Sequence, residues 1–471
     1  AAITMQAPAR LEYSVINDTG APIPAAVSFK RTGEHTPDLA HDFFFNKTHP
    51  YGAGFFKIHF APPRPHSVAI RPGTYDVYVS RGLEYEYVKK TIAFKEGETV
   101  ADTFTLAHSV DTAGYLSGDF HIHSQPSNDC QDLIDDKIAA VAAVGLEVPV
   151  ATDHDVNTDY RPYIERLGMQ PFMNTIVGDE LTTIRLGHFN AYPLAFTPDR
   201  KDWGAPIWFG KSVPEIMQAF RDDPEGNTII QINHPRSGSS GYFDVIGYDP
   251  RTGTAQMAGQ FTLNFDGMEI LNGKSYDELE KTVPDWFSFL NRGKPVIGVG
   301  NSDNHSTFSL GVGYPRTYVA SATDAPADMD RDAFIAAMRG QRVTVSGGAF
   351  ITVAANGHTG PGGVTAPQDG AVALHITVQA PEWMQLSTLR LVANGETVEE
   401  RDISGAAGVV RFDDTITHKP DADTWYVIIA EGDQGLFPVY PGARAYSFTN
   451  PVYADTDGNG AFDPPFAFAE K

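Results

Sequence analysis

Cysteine is almost absent from this 471-residue chain, whose single thiol is Cys130. One cysteine excludes an intramolecular disulfide and a thiolate metal cluster. Long apolar runs are missing as well: no stretch reaches the roughly 18 residues that a membrane-spanning helix needs. Basic residues are scarce, with 35 Lys and Arg against 59 Asp and Glu and a formal net charge of -24. So acidic a chain is a poor general binder of nucleic acid or of anionic membrane. There is no Gly-x-Ser-x-Gly nucleophile elbow, no internal repeat, no low-complexity tract and no long linker. An initiator methionine is also missing, for the chain opens Ala1-Ala-Ile-Thr. With β appendages and an acidic surface, this predicts an exported protein, periplasmic or secreted, that has lost a signal peptide.

What is present is histidine in particular places. Gly118-Asp-Phe-His-Ile-His-Ser124 reads as a short buried strand ending in His121 and His123. Residues two apart on a strand share a side, so both rings reach one metal ion. Further metal-competent residues follow apolar runs: Asp153 and His154, Glu180, His188, His234, then Asp303 and His305. Six of the 15 histidines fall in this set. Imidazole and carboxylate together suit zinc, manganese or iron. Asp153 precedes His154 and points to the other side of its strand, which suits orienting a ligand better than being one. Arg236, two residues after His234, is placed to face the same mouth and to meet negative charge. Asn272 and Lys274, just after the run Met268–Leu271, are candidates for the pocket lining.

The chain divides by pattern into three parts. Residues 1–110 alternate with a two-residue period between short turns and read as a β-sandwich. Within them, 36–65 reads as a long, aromatic, irregular loop reaching toward the metal site, with His35, His41, His49, His59 and His66 as packing or surface residues in or near it. Residues 113–345 alternate strand and helix, which implies a parallel sheet with candidate ligands at the strand ends. A helix is expected from Cys130 to Val144, with Asp129 as ligand or as its cap and Cys130 as a packed residue. Residues 347–471 return to β, with a hairpin turn at Asn394-Gly395. Asp455, Asp457, Asn459 and Asp463 have the oxygen spacing of a calcium loop, but Phe466 stands where a bidentate Glu belongs.

The ordered set of motifs over residues 113–345 resembles the polymerase-and-histidinol-phosphatase (PHP) family of metallohydrolases, and more closely its carbaryl-hydrolase-type branch. The amino-terminal part is similar to carboxypeptidase regulatory-like modules. The PHP resemblance implies an α/β distorted (β/α)7 TIM-like barrel flanked by all-β sandwich domains, with two or three divalent transition metals. It implies His121, His123, Asp129, His154, His188, His234, Asp303 and His305 as ligands and Glu180 as the bridging carboxylate. The expected function is hydrolysis of a small-molecule ester by a metal-bound hydroxide, with Arg236, Glu180 and His188 in the reaction. Phosphate esters are the leading substrate class. Carbamate or carboxylic esters on the same centre are the alternative, and a secreted binding protein with a degenerate barrel is the non-enzymatic one.

Overall fold

Residues 6–32, 55–309 and 311–468 are described by the structure, a computed structural model. The amino-terminal part forms seven strands in two layers. Ala9–Asn17 pairs with His66–Ile70 on one edge and Thr99–Leu106 on the other. Ala25–Arg31 lies between Phe55–Ala61 and Gly73–Ser80, with Val88–Phe94 outermost. Leu11, Tyr13 and Val15 alternate inward to meet Phe29, Tyr75, Val77 and Phe104. Each such side chain contributes roughly 1.5–3 kcal/mol on burial.

The sequence reading misplaces one feature here. Part of the expected loop is strand, since Phe55–Ala61 pairs with Ala25–Arg31. His59 bonds the Tyr13 hydroxyl and His66 Nε2 lies 2.8 Å from the Pro62 carbonyl, so both are packing residues of the sandwich. Residues 33–54, with His35, His41 and His49, lie outside the described residues.

Two sheets carry the middle of the chain. In the first, Ile176–Val177, Val148–Ala151 and Tyr115–Ile122 run parallel, and Arg316–Ala320 and Val343–Gly347 extend the sheet antiparallel. In the second, the order is Asp179–Thr182, His188–Tyr192, Ile229–Ile232, Gly267–Asn272, Ile297–Asn301. Its first two pairings are antiparallel and its last two parallel. Among the described residues, single bridges join the two: Ile122 with Asn304, and His154 with Glu180. The ladders therefore show no closed parallel barrel. The reason is local. Residues 183–187 are too few for a crossover helix, so Asp179–Thr182 and His188–Tyr192 form a hairpin.

The first sheet does not stop at residue 347. Val343–Gly347 pairs with Tyr440–Thr449, and the ladder runs on through Thr424–Leu436 and Thr388–Ala393 to Glu396–Asp402. Asn394 and Gly395 turn the last hairpin with φ of 46° and 95°. Phe350–Ala355, Val372–Gln379 and Val410–His418 form a facing sheet. Leu374, Ile376, Leu391 and Ile428 fill the space between.

Helices cover the central sheets. Val213–Arg221 opens on a capping box in which Ser212 and Glu215 satisfy each other's end of the first turn. The expected helix from Cys130 begins later, at Ile134–Ala143, and has no side-chain cap. Asp129 is thus not its cap. No described helix is long and apolar enough to cross a membrane.

Candidate metal centre

Tyr115–Ile122 is buried from Leu116 onward: strands pair with both its edges, and Leu116 and Phe120 pack against Phe334, Ile335 and Met338. It delivers His121 and His123 with ring centroids 5.0 Å apart and no exposed side-chain surface. His154, His234, Asp303 and His305 follow the ends of strands, whereas Glu180 lies within Asp179–Thr182 and His188 opens His188–Tyr192, so the expected placement at strand ends fails for these two. A metal centre of this type holds nitrogen and oxygen donors about 2.0–2.2 Å from the ion, which spaces the donors about 3.0–3.5 Å from each other.

That spacing recurs throughout the cluster. His121 Nε2 is 3.2 Å from Glu180 Oε1 and 3.3 Å from Asp303 Oδ1. His123 Nε2 is 3.4 Å from Glu180 Oε2 and 3.2 Å from Asp303 Oδ1. His188 Nδ1 and His234 Nε2 are 3.3 and 3.5 Å from Glu180 Oε1. Asp129 Oδ2 is 3.3 Å from both His154 Nε2 and His305 Nε2. Four overlapping groups result: His123, Asp129, His154 and His305; His121, His234 and Asp303; His121, His123 and Glu180; Glu180, His188 and His234.

Glu180 stands between these groups. Its Oε1 faces His121, His188 and His234, and its Oε2 faces His123 and His154. Each oxygen thus faces a different set of rings.

The residues fit divalent ions on a second count. His121 Nε2, His123 Nε2 and His188 Nδ1 are buried and make no hydrogen bond. Unsatisfied buried polar atoms are costly, and here these three nitrogens converge on the Glu180 carboxylate. Electrostatics agree. Burial pushes Glu180 and Asp303 up, but the surrounding imidazoles, His121 first, hold both well below the usual carboxylate range. Burial opposes a charge on His121, yet Asp303, Glu269 and Glu180 raise it well above the usual value. Burial likewise lowers His154, but Glu180 and Asp129 carry it to about 9. His123, dominated by burial, falls to about 4. Carboxylates and imidazoles of the cluster thus shift one another toward their charged forms, except at His123, where burial prevails.

Several supporting residues escape a sequence reading. Glu269 is buried in the middle of Gly267–Asn272, and its Oε1 accepts from His121 Nδ1 at 2.8 Å and Asn301 Nδ2 at 3.0 Å. Its Oε2 accepts from the His234 amide at 2.7 Å. The available signal was a lone carboxylate inside the apolar run Gly267-Met-Glu-Ile-Leu271. Asn233 Nδ2 donates to Glu180 Oε1 at 2.9 Å, and Thr182 Oγ1 lies 2.6 Å from His154 Nδ1. Asp153 accepts from Ser124 and Ser127, and Ser127 Oγ is 3.0 Å from His123 Nδ1. Asp153 acts through these hydroxyls.

Arg236 is not brought to the centre. Its Nε and Nη2 donate to the two oxygens of Asp285 at 2.6 and 2.5 Å, and Nη1 reaches Asp244 at 3.2 Å. The two-residue rule fails because the strand ends at Ile232 and His234 takes a φ of 25°, which turns the next residues away. Lys274 donates to the Pro441 carbonyl at 2.6 Å and so ties the loop to the carboxy-terminal sheet. Asn272 does reach the centre, with Nδ2 2.9 Å from Glu269 Oε2 and 3.2 Å from Asp303 Oδ2. Cys130, buried, donates to the His305 carbonyl at 3.1 Å.

In the carboxy-terminal loop, Asp455 and Asp457 are joined by Asp423, which the spacing did not reveal. Asp455 accepts the amides of Gly458, Asn459 and Gly460, and Asp423 those of Thr456 and Asp463. Asn459 Nδ2 bonds Asp463 Oδ2 at 2.9 Å. These carboxylates are satisfied by the loop they shape.

No protein-family model matches the chain, and no curated protein matches it. Solved structures give weak overlaps. A two-domain protein from Bacteroides vulgatus, described as containing a predicted PHP-like metal-dependent phosphoesterase, is 17% identical over 72% of this chain and 96% of its own, with a TM-score of 0.37. A lesion-specific endonuclease from Pyrococcus furiosus is 15% identical over 48% of this chain and 56% of its own, with a TM-score of 0.31. Superpositions at these scores assign neither family nor reaction, which leaves the ligand geometry to carry the functional reading.

Proposed function

We propose that this chain is a metal-dependent hydrolase of the PHP type, acting on small-molecule esters at the histidine–carboxylate cluster. The observation that carries it is Glu180, with each oxygen set among separate imidazoles at coordination-edge distances. On this reading the two central sheets are an opened form of the distorted (β/α)7 barrel.

The nitrogen and oxygen donor set, free of sulfur, suits two or three ions of zinc, manganese or iron. Such ions, when bound, supply Lewis acidity and lower the pKa of a coordinated water toward neutrality. Glu180 would offer one oxygen to each side of the cluster and a negative charge between ions held there. Glu269 holds His121 in the tautomer that leaves Nε2 free for the ion. The side chains grade from buried to open: His121, His123 and Glu180 lie at the floor, while His305 is 31% and Asp129 51% exposed. Substrate enters over Asp129 and His305. His188, 17% exposed, borders the same space and is placed to move a proton to or from the reacting ester.

Phosphate esters remain the first substrate class, with carbamate or carboxylic esters as the second reading. The engagement of Arg236 by Asp285 favours that second reading, since it withdraws the arginine expected beside the ligands from a dianionic phosphate. The test is elemental analysis of protein purified without chelator, joined to a panel of matched aryl phosphate, carbamate and carboxylic esters. The expected result is at least two transition-metal ions per chain and chelator-sensitive turnover of one ester class. Protein that takes up no ion, or metal that brings no hydrolysis of any ester, would overturn the reading.

A further inference from the structure

The buried lysine of the first central helix points to an unassigned role. Lys137, within Ile134–Ala143, has no exposed side-chain surface. Its Nζ donates to Asn304 Oδ1 at 2.7 Å and to the Asn304 carbonyl at 3.0 Å. It also lies 2.9 Å from Asp132 Oδ2, which accepts the Thr307 amide at 2.6 Å. Fully buried lysines are rare because desolvating an ammonium is costly unless each donor is met. Here all three are.

Asn304 is the residue between Asp303 and His305, two candidate ligands. Asp303 takes a φ of 47°, a conformation disfavoured for a side chain with a Cβ. The loop therefore needs an external hold to keep both side chains aimed at the cluster. The Asn304 carbonyl also accepts the His123 amide at 3.2 Å, so one peptide group links three ligand-bearing positions. Lys137 and Asp132 together form a neutral pair, so the clamp sets no net charge against incoming cations.

We infer that Lys137 is a positioning residue that clamps the 303–305 loop and thereby sets metal affinity in the group of His123, Asp129, His154 and His305. The inference rests on the proposed metal centre. It gives the buried lysine of the first helix a role beside that helix's apolar packing, in which Ile134, Ile138 and Val141 share a core with Val312.

The experiment is calorimetric titration of chelator-stripped full-length protein with Mn2+ or Zn2+, alongside thermal unfolding of the stripped form. Lys137→Met keeps length and removes the donors. The expected result is a loss of one bound ion, or weakening of the weakest site by tenfold or more, with the remaining ions retained. A purely structural lysine would lower the unfolding temperature and leave the titration unchanged, and that result overturns the inference. Should Lys137→Met not fold, Asn304→Ala removes one acceptor and keeps the backbone bond. It is expected to weaken the same ion at least threefold, and an unchanged titration again overturns the inference. Wild-type protein that binds no ion sinks the proposed function and this inference together, whereas a normal wild-type titration with unaltered variants sinks this inference alone.

Discussion

Glu269 supports His121 from behind: Oε1 is 2.8 Å from Nδ1, and neither side chain has any exposed surface. The same carboxylate holds the His234 amide and the Asn272 and Asn301 carboxamides. One acid in the middle of a buried strand thus fixes two candidate ligands that lie far apart in sequence. Glu269→Gln is expected to lower metal affinity about tenfold, and Glu269→Leu nearer to 100-fold, the range for losing a ligand's hydrogen-bond partner. Metal titration of the stripped variants checks this, and wild-type affinity in Glu269→Leu would remove Glu269 from the support of the centre.

Glu180→Gln is expected to reduce metal occupancy and turnover together. A rate loss of roughly 100-fold or more, on the order of 3 kcal/mol, follows from removing the charge between the ions. Elemental analysis and steady-state kinetics on one preparation decide it. Full metal content with near-normal turnover is the outcome that excludes a bridging role.

Arg236 and Asp285 form a buried pair, and Asp285 has no exposed surface. Removing the arginine alone strands a buried carboxylate, at a cost of about 3 kcal/mol in unfolding free energy. Burial already pushes Asp285 up to about 6, against the pull of Arg236. Arg236→Met is therefore expected to lower stability while metal content per folded chain stays at the wild-type level. Denaturant unfolding and metal analysis together check this. A loss of metal or a selective loss of phosphate-ester turnover would return Arg236 to the active centre.

Glu147 makes stability depend on pH. Burial, then the charge of Glu84, raises its pKa from 4.5 to about 7. The folded state thus holds a proton that the unfolded state releases near pH 4.5, so this group's contribution falls as pH rises from about 4.5 to about 7 and is level above that. Glu147→Gln keeps an acceptor for the Ser117 amide and hydroxyl, which Oε2 now meets at 2.8 and 3.0 Å. The variant is expected to gain about 1–2 kcal/mol over wild type at pH 8 and nothing at pH 4. Unfolding curves at the two pH values test the sign, and an equal gain at both would remove the titration from the account.

The candidate ligands were legible in the sequence because their signal is local. His121 and His123 share a side by strand period alone, and His154, His234, Asp303 and His305 follow short apolar runs that mark strand ends. The two-residue alternation of Ala9–Asn17 and the capping box at Ser212 are local in the same way. Arg236 shows where that locality ends. A period-two argument holds only while the strand lasts, and the backbone at His234 breaks it. Strand order is beyond local pattern too. Only tertiary pairing decided that Asp179–Thr182 and His188–Tyr192 form a hairpin and that Val343–Gly347 joins Tyr440–Thr449. Glu269 and Lys137 belong to this second kind. Their partners, His121 and Asn304, stand more than a hundred residues away in sequence. The carboxylate of Glu269 inside an apolar run signals that a partner exists, because burial without one is too costly, whereas Lys137, next to Asp135 and Asp136, carries no such mark. Which group it meets is set by the packing of distant segments.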